Sequence, residues 1–362
     1  MESLKQTPLY ANHKKLNALM APFGGWDMPI QYEGIIAEHK WCRENAALFD
    51  ICHMGEFIFE GDIVKDGMED IFTFSVETIP VGRSRYGFLL NESGGIIDDM
   101  IIFRIAENKV MIVVNAATAD NDFSVIQGRL KGGSFRNITD STAKLDLQGP
   151  ESRNIITKIV DPSLLNLSYF KFTKVKILGE DALVSRTGYT GELGYEIFLP
   201  SKKVAELWEK LLTEPKVKPA GLGARDILRL EVGYSLYGSD LDESITPIEA
   251  GLENFVNFEK EFIGKGALLD QKKNGVSRIK IPFKTNSRRS PRHNHKIVVN
   301  GQEAGIVTSG AFSPMLGSGI GMGFIKPEFA IDGKNITITD GKLEIEASIC
   351  QLPFYSDGSV RN

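Results

Sequence analysis

Cysteine is scarce: three in 362 residues, at positions 42, 52 and 350. An odd number of widely separated thiols argues against a disulfide framework and fits a reducing cytoplasm. Paired zinc-ligand spacing is missing and only His53 adjoins a cysteine, so no metal site is expected. No run of about 18 apolar residues occurs, the length a membrane-spanning helix needs, so no membrane partner is expected. Positive charge is not in excess either. A formal net charge of −5 argues against nucleic acid as a partner, because that footprint requires clustered surplus Lys and Arg. The opening Met1–Gln6 has neither an apolar core behind a basic head nor an Arg-rich, acid-free composition. It reads as neither a secretory signal nor a transit peptide.

What is present is ordinary globular composition, 42% hydrophobic and 25% charged, in a chain longer than one core usually supports. Two or three domains are expected. Apolar spacing predicts helices over 35–48, 118–131, 151–160, 202–213 and 222–233. Alternation predicts a short strand around Phe57 and Phe59 and a hairpin of Ile101–Ile105 with Val110–Val114. Further strands are predicted at 144–147, 173–178 and 182–186. Beyond residue 275 strands alternate with glycine turns at Lys296–Val299, Gly305–Thr308, Ile336–Thr339 and Leu343–Ala347. Asp340-Gly341 between the last two is a hairpin signal. Residues 278–362 therefore read as an all-β domain, the preceding chain as α+β, and Asp270–Ser277 as a linker.

Generic catalytic motifs are few. Gly317–Gly323 is glycine-rich but misses the dinucleotide spacing and reads as a turn in the β domain. Gly264-Lys265-Gly266 lacks the hydroxyl of a phosphate loop, and His293 and His295 read as solvated loop residues. Three segments carry more chemistry. In Gly94-Gly95-Ile96-Ile97-Asp98-Asp99 a turn delivers adjacent carboxylates at the mouth of an apolar strand. Alternation sends the two to opposite faces, so only one can enter a given pocket. By pattern alone this reads first as a turn with surface acids. In Gly188–Glu196 three glycines, two tyrosines and a carboxylate could grip a planar heterocycle with paired N–H groups, or form a glycine-rich hairpin. In Gly221–Glu231, Arg225 could meet a carbonyl or carboxylate, while Asp226, Arg229 and Glu231 read as helix-surface charges.

Together with other blocks these residues resemble the glycine cleavage T-protein family. The opening blocks are Thr7-Pro8-Leu9-Tyr10, Gly24–Pro29 and Leu48–Gly55. Gly94–Asp99, Val113–Ala117, Leu147–Pro150 and Ser185–Gly191 follow in order. Gly221–Glu231, Leu236-Tyr237-Gly238, Thr246–Leu252 and Val307–Gly310 complete the series. The resemblance implies a three-domain α+β cloverleaf around a folate pocket, with two interleaved α+β domains and a C-terminal barrel or jelly-roll-like domain. The expected division is 1–52 with 140–240, 53–139 with 241–277, and 278–362. Matched position by position, Asp99 is implied as the catalytic acid, with Glu196 and Arg225 as folate-binding charges. Tyr86, Asn115, Tyr169, Tyr189 and Met54 are implied to line the pocket, and Arg361 resembles a C-terminal pocket arginine. The family usually has Ser at Cys52 and Asp at Leu193; the second departure removes a charge near Glu196.

The implied activity is transfer of a one-carbon unit from an aminomethylated lipoyl carrier (H) protein to tetrahydrofolate, the co-substrate. Asp99 would serve as acid and base. The basic stretch Arg288–Arg292 could steer an acidic carrier or be a solvated loop. A folate-dependent demethylase of the same fold is a rival on the donor side. A non-catalytic folate-binding relative in iron–sulfur assembly would carry Lys-Gly-Cys-Tyr-x-Gly-Gln-Glu, which this sequence lacks.

Overall fold

Apolar strands buried on both faces build the centre of the molecule. The computed structural model describes residues 3–161 and 167–361. The chain opens with helix α1 (Tyr10–Lys15), hairpin β1 (Leu19–Phe23) and β2 (Trp26–Gln31), and α2 (Ile35–Glu44). Next come β3 (Ala46–Asp50), β4 (Gly55–Glu60), β5 (Ser84–Leu90), β6 (Ile96–Ala106) and β7 (Lys109–Val114). Helix α3 (Ala119–Arg129), β8 (Ser134–Asn137), β9 (Thr142–Gln148) and α4 (Ser152–Ile156) follow. Then β10 (Phe172–Ile177), β11 (Glu180–Ser185) and β12 (Gly194–Pro200) lead to α5 (Val204–Leu212), β13 (Val217–Pro219) and α6 (Leu222–Glu231).

Two sheets take these strands. The first, in the order β10-β11-β12-β9-β3-β13, packs α5 on one face through Val204, Leu207, Trp208 and Leu211. Each such side chain contributes about 1.5–3 kcal/mol by leaving water. The second, β5-β6-β7-β4-β8, buries Phe57, Phe59 and Ile126 of α3 on its outer side. Between the sheets lie Ile58, Phe103 and Val113 of the second against Leu183 and Phe198 of the first.

Helix α7 (Lys265–Asn274) precedes a closed six-stranded barrel. Its strands are β14 (Ile279–Thr285), β15 (Lys296–Val299), β16 (Gln302–Ser313), β17 (Ser318–Ile325), β18 (Asn335–Thr339) and β19 (Glu344–Ile349). Pairing of β14 with both β17 and β19 closes the cylinder. The expected hairpin across Asp340-Gly341 forms as β18–β19. The architecture is α+β with a C-terminal β-barrel.

Four local expectations fail, each for a physical reason. Residues 46–48 belong to β3, not to the helix that starts at 35. Ala and Leu favour helix in isolation, but Asn45 ends α2 and the next segment is wholly buried between β9 and β13. The linker expected at 270–277 is helical as far as Asn274 and stops at Gly275, whose φ of 84° suits a helix end. Gly317–Gly323 is no turn: from residue 318 it is the buried strand β17. A Cβ at Gly323 would come within 2.4 Å of the Ile306 carbonyl oxygen, so glycine there admits a neighbouring backbone. The charges of α6 are not all superficial, since Arg229 and Glu231 are buried.

Candidate active site

Asp98 and Asp99 occupy the third and fourth positions of β6, inside the strand rather than at its mouth. The β5–β6 ladder pairs Leu89 with Asp98 but Leu90 with Ile96, leaving Ile97 as an extra residue. Such a bulge raises local twist and re-aims side chains. Beyond the bulge Asp98 and Asp99 pair in regular order with Leu89 and Phe88, and both carboxylates still meet one side chain, that of Asn115. Asn115 Nδ2 donates to Asp98 Oδ1 and to Asp99 Oδ1, both at 2.8 Å, and the Asn115 backbone N–H donates to Asp98 Oδ2 at 3.0 Å. Asp98 is fully buried, whereas Asp99 keeps partial access. Tyr86 on β5 donates its hydroxyl to Asp99 Oδ2 at 2.8 Å. Burial pushes the Asp99 carboxyl up from the usual range, opposed by the bonds from Tyr86 and Asn115. Asp98 rises further, through burial and then through the charges of Asp122 and Asp99.

Glu196 lies across on β12, its position in the ladder facing Asp146 of β9. Thr187 donates to Glu196 Oε2 at 2.6 Å, and the buried Lys144 ammonium stands 3.9 Å from Oε1. Arg225 on α6 reaches back to pair with Asp146, which also accepts from Gln148 Nε2 at 2.6 Å. Burial lifts Asp146 to about 6, with Arg225 opposing and Glu196 adding. Asp146 thus pairs with Arg225 and stands opposite Glu196 in the ladder.

Tyrosines stand beside both clusters, Tyr86 at Asp99 and Tyr189 at Arg225. Tyr189 lies 5.2 Å from the Arg225 guanidinium, stacks on Tyr234 at 5.7 Å and donates its hydroxyl to the Ser235 carbonyl. The hydroxyls of Tyr169 and Tyr234 are 3.4 Å apart. Met54 packs both with Phe49 and Ala224 beneath α6 and with the apolar layer between the sheets. Arg361 is exposed in the C-terminal turn; that turn docks on the Gly188–Glu196 segment, with the Val360 N–H donating to the Gly191 carbonyl at 3.2 Å. Leu193 is buried there, and its N–H donates to Ser359 Oγ at 2.9 Å. Cys52 is buried, and its N–H donates to Asp50 Oδ1 at 2.9 Å.

The structure adds Tyr234, Ser235, Asp146 and Lys144 to the residues singled out in the sequence. Tyr234 follows Gly233 just past α6, a position where an aromatic residue after a helix stop could have been noticed. Lys144 and Asp146 carried no signal, since alternating charges on a strand normally mark a solvated face. Both are instead buried between layers.

A buried carboxylate kept among neutral donors is an arrangement able to accept and pass on a proton, and paired charges beside tyrosine faces can hold a polar planar ligand. Residues 9–260 match the GCVT N-terminal domain family, and residues 279–356 match the glycine cleavage T-protein C-terminal barrel domain. The aminomethyltransferase of Halothermothrix orenii is 43% identical over 97% of this chain and 100% of its own length. That of Caldanaerobacter subterraneus subsp. tengcongensis is 41% identical over 98% of this chain and 97% of its own. The crystal structure of glycine cleavage system aminomethyltransferase T from Bartonella henselae superposes with a TM-score of 0.92 at 34% identity, covering 99% of both chains. The chain belongs to the glycine cleavage T-protein family.

Proposed function

We propose that this aminomethyltransferase moves the methylene carbon of an aminomethyl-dihydrolipoyl carrier protein to tetrahydrofolate, yielding 5,10-methylenetetrahydrofolate and ammonia. The observation that carries the reading is the Asp99 carboxylate, held by Tyr86 and Asn115 at 2.8 Å and made more basic by burial. In the transfer, the carbon gives up its bonds to sulfur and to the amino nitrogen and gains bonds to two folate nitrogens. The two protons released from those nitrogens end on the sulfur and on the departing ammonia. Asp99 serves as the relay, taking a proton from a folate nitrogen and stabilising positive charge on the moving carbon.

Glu196 and Arg225 hold the pterin end, Tyr189, Tyr169 and Met54 form walls, and Asn115 fixes the carboxylate. Asp98 serves as the brace that pins Asn115, and Arg361 closes the pocket from the tail. The domain division at 52, 139, 240 and 277 and a cytoplasmic location belong to the same reading. Three free cysteines support that location. The exposed Arg288, Arg289 and Arg292 offer a patch for an acidic carrier.

The test is turnover of purified protein with aminomethylated lipoyl carrier protein and tetrahydrofolate, reading ammonia and methylenetetrahydrofolate together. Ammonia formed without the folate product overturns the transfer. Turnover with free methylated amines in place of the carrier points to the demethylase instead.

A further inference from the structure

Burying a lysine is costly unless its ammonium meets an opposite charge. Lys144 on β9 exposes only 1% of its side chain, and its Nζ stands 3.9 Å from Glu196 Oε1. Strand pairing puts it there. In the β9–β12 ladder Lys144 sits opposite Phe198, and Asp146 sits opposite Glu196. Phe198 belongs to the apolar layer between the two sheets, so its neighbours Lys144 and Glu196 turn into that layer as well. The ammonium lies 5.2 Å from the centre of the Phe198 ring, whose face attracts it.

The two oxygens of Glu196 are not equivalent. Oε2 accepts from the Thr187 hydroxyl at 2.6 Å. Among the described residues no donor comes within hydrogen-bond distance of Oε1, since Lys144 at 3.9 Å falls short. Other carboxyls nearby do not compete for Lys144. Asp146 is taken by Arg225 and by Gln148 Nε2. Glu56 on β4 turns into the same layer as Ile58, and among the described residues neither of its oxygens has a hydrogen-bond partner. Burial pushes the Glu56 carboxyl up to about 8, so it is uncharged at neutral pH.

We propose that Lys144 is a positioning residue for substrate binding: it supplies the counter-charge of Glu196 from beyond hydrogen-bond range and leaves Oε1 open to the N–H edge of the pterin. The role rests on Glu196 being the carboxylate that grips the pterin. An apolar residue at 144 would leave that carboxylate buried without a counter-charge. A cation in direct contact would fill Oε1 and compete with the ligand. At 3.9 Å the attraction persists while the acceptor stays free.

The test is a double-mutant cycle read by calorimetry with tetrahydrofolate. Lys144→Met removes the charge and keeps an unbranched side chain. It should weaken binding about tenfold in the parent, but less than about twofold in a Glu196→Gln background, where no charge remains to be balanced. Its kcat at saturating tetrahydrofolate should change less than about twofold, because Asp99 is untouched. Unchanged affinity in Lys144→Met overturns the inference, and so do losses of equal size in the two backgrounds, which mark a merely structural lysine. If Lys144→Met does not fold, the same cycle is run with Lys144→Arg, whose longer guanidinium reaches Oε1 directly. It should weaken binding about tenfold with Glu196 and less than about twofold with Glu196→Gln, and parental affinity or equal losses overturn the inference. Parental affinity in Glu196→Gln alone would instead detach Glu196 from the pterin, a failure of the underlying reading that is separate from the cycle.

Discussion

At the Glu196 end, cations and anions alternate. Lys144 stands 3.9 Å from Glu196, and Arg225 pairs with Asp146. At the Asp99 end the donors in contact are a phenol and an amide, and burial pushes the neighbouring carboxyls of Asp98 and Asp122 up from the usual range. Paired charges are held in place and exchange protons reluctantly, which suits gripping a ligand. A carboxylate among neutral donors in a buried setting is a stronger base, which suits moving a proton. The contrast supports the proposed division, with binding on one sheet and chemistry on the other.

The hardest test of that contrast is Asp99→Asn. It should leave the fold and folate affinity intact yet lower kcat by about 10²–10⁴, the usual share of a positioned acid–base group. Turnover near that of the parent would place the chemistry elsewhere.

Glu56 sharpens the other side. It lies near Lys144 and Glu196, is fully buried, and burial pushes its carboxyl up to about 8. Because the folded value exceeds the unfolded one, its contribution to stability is complete below about pH 4 and declines as pH rises toward 8. Glu56→Gln should remove a decline of roughly 3 kcal/mol by pH 7, read from urea unfolding at pH 5 and pH 8. Equal slopes in parent and variant would mean that Glu56 is ionised and paired.

Glu196→Ala should weaken tetrahydrofolate binding about 10- to 100-fold, as expected for lost bonds to a charged acceptor. Calorimetry showing unchanged affinity would detach Glu196 from the ligand. The smallest effect belongs to Tyr86→Phe, which removes one bond to Asp99 and should cost about tenfold in kcat with little change in KM. A large rise in KM would make Tyr86 a binding residue.

Much of this was legible in the residues. The alternation of Phe57 and Phe59, the apolar stripe of α5 and the Asp340-Gly341 turn follow from side-chain periodicity and turn chemistry. The ordered blocks from Thr7 to Gly310 carried the family, and the roles proposed for Asp99, Glu196 and Arg225 rest on that resemblance. Ala46–Leu48 went astray because helix and buried-strand patterns coincide over so short an apolar run.

What residues alone fix is local: which segments alternate, where the backbone turns, and which side chains bear protons. The bulge at Ile97 and the meeting of both aspartates on Asn115 arise only when β5, β6 and β7 pair, and the burial of Lys144 and Asp146 only when β9 is enclosed by β12 and β3. A side chain's charge state depends on the groups that replace water around it. Those groups come from paired strands and packed layers, so the tertiary structure decided which carboxylates are buried and what each one meets.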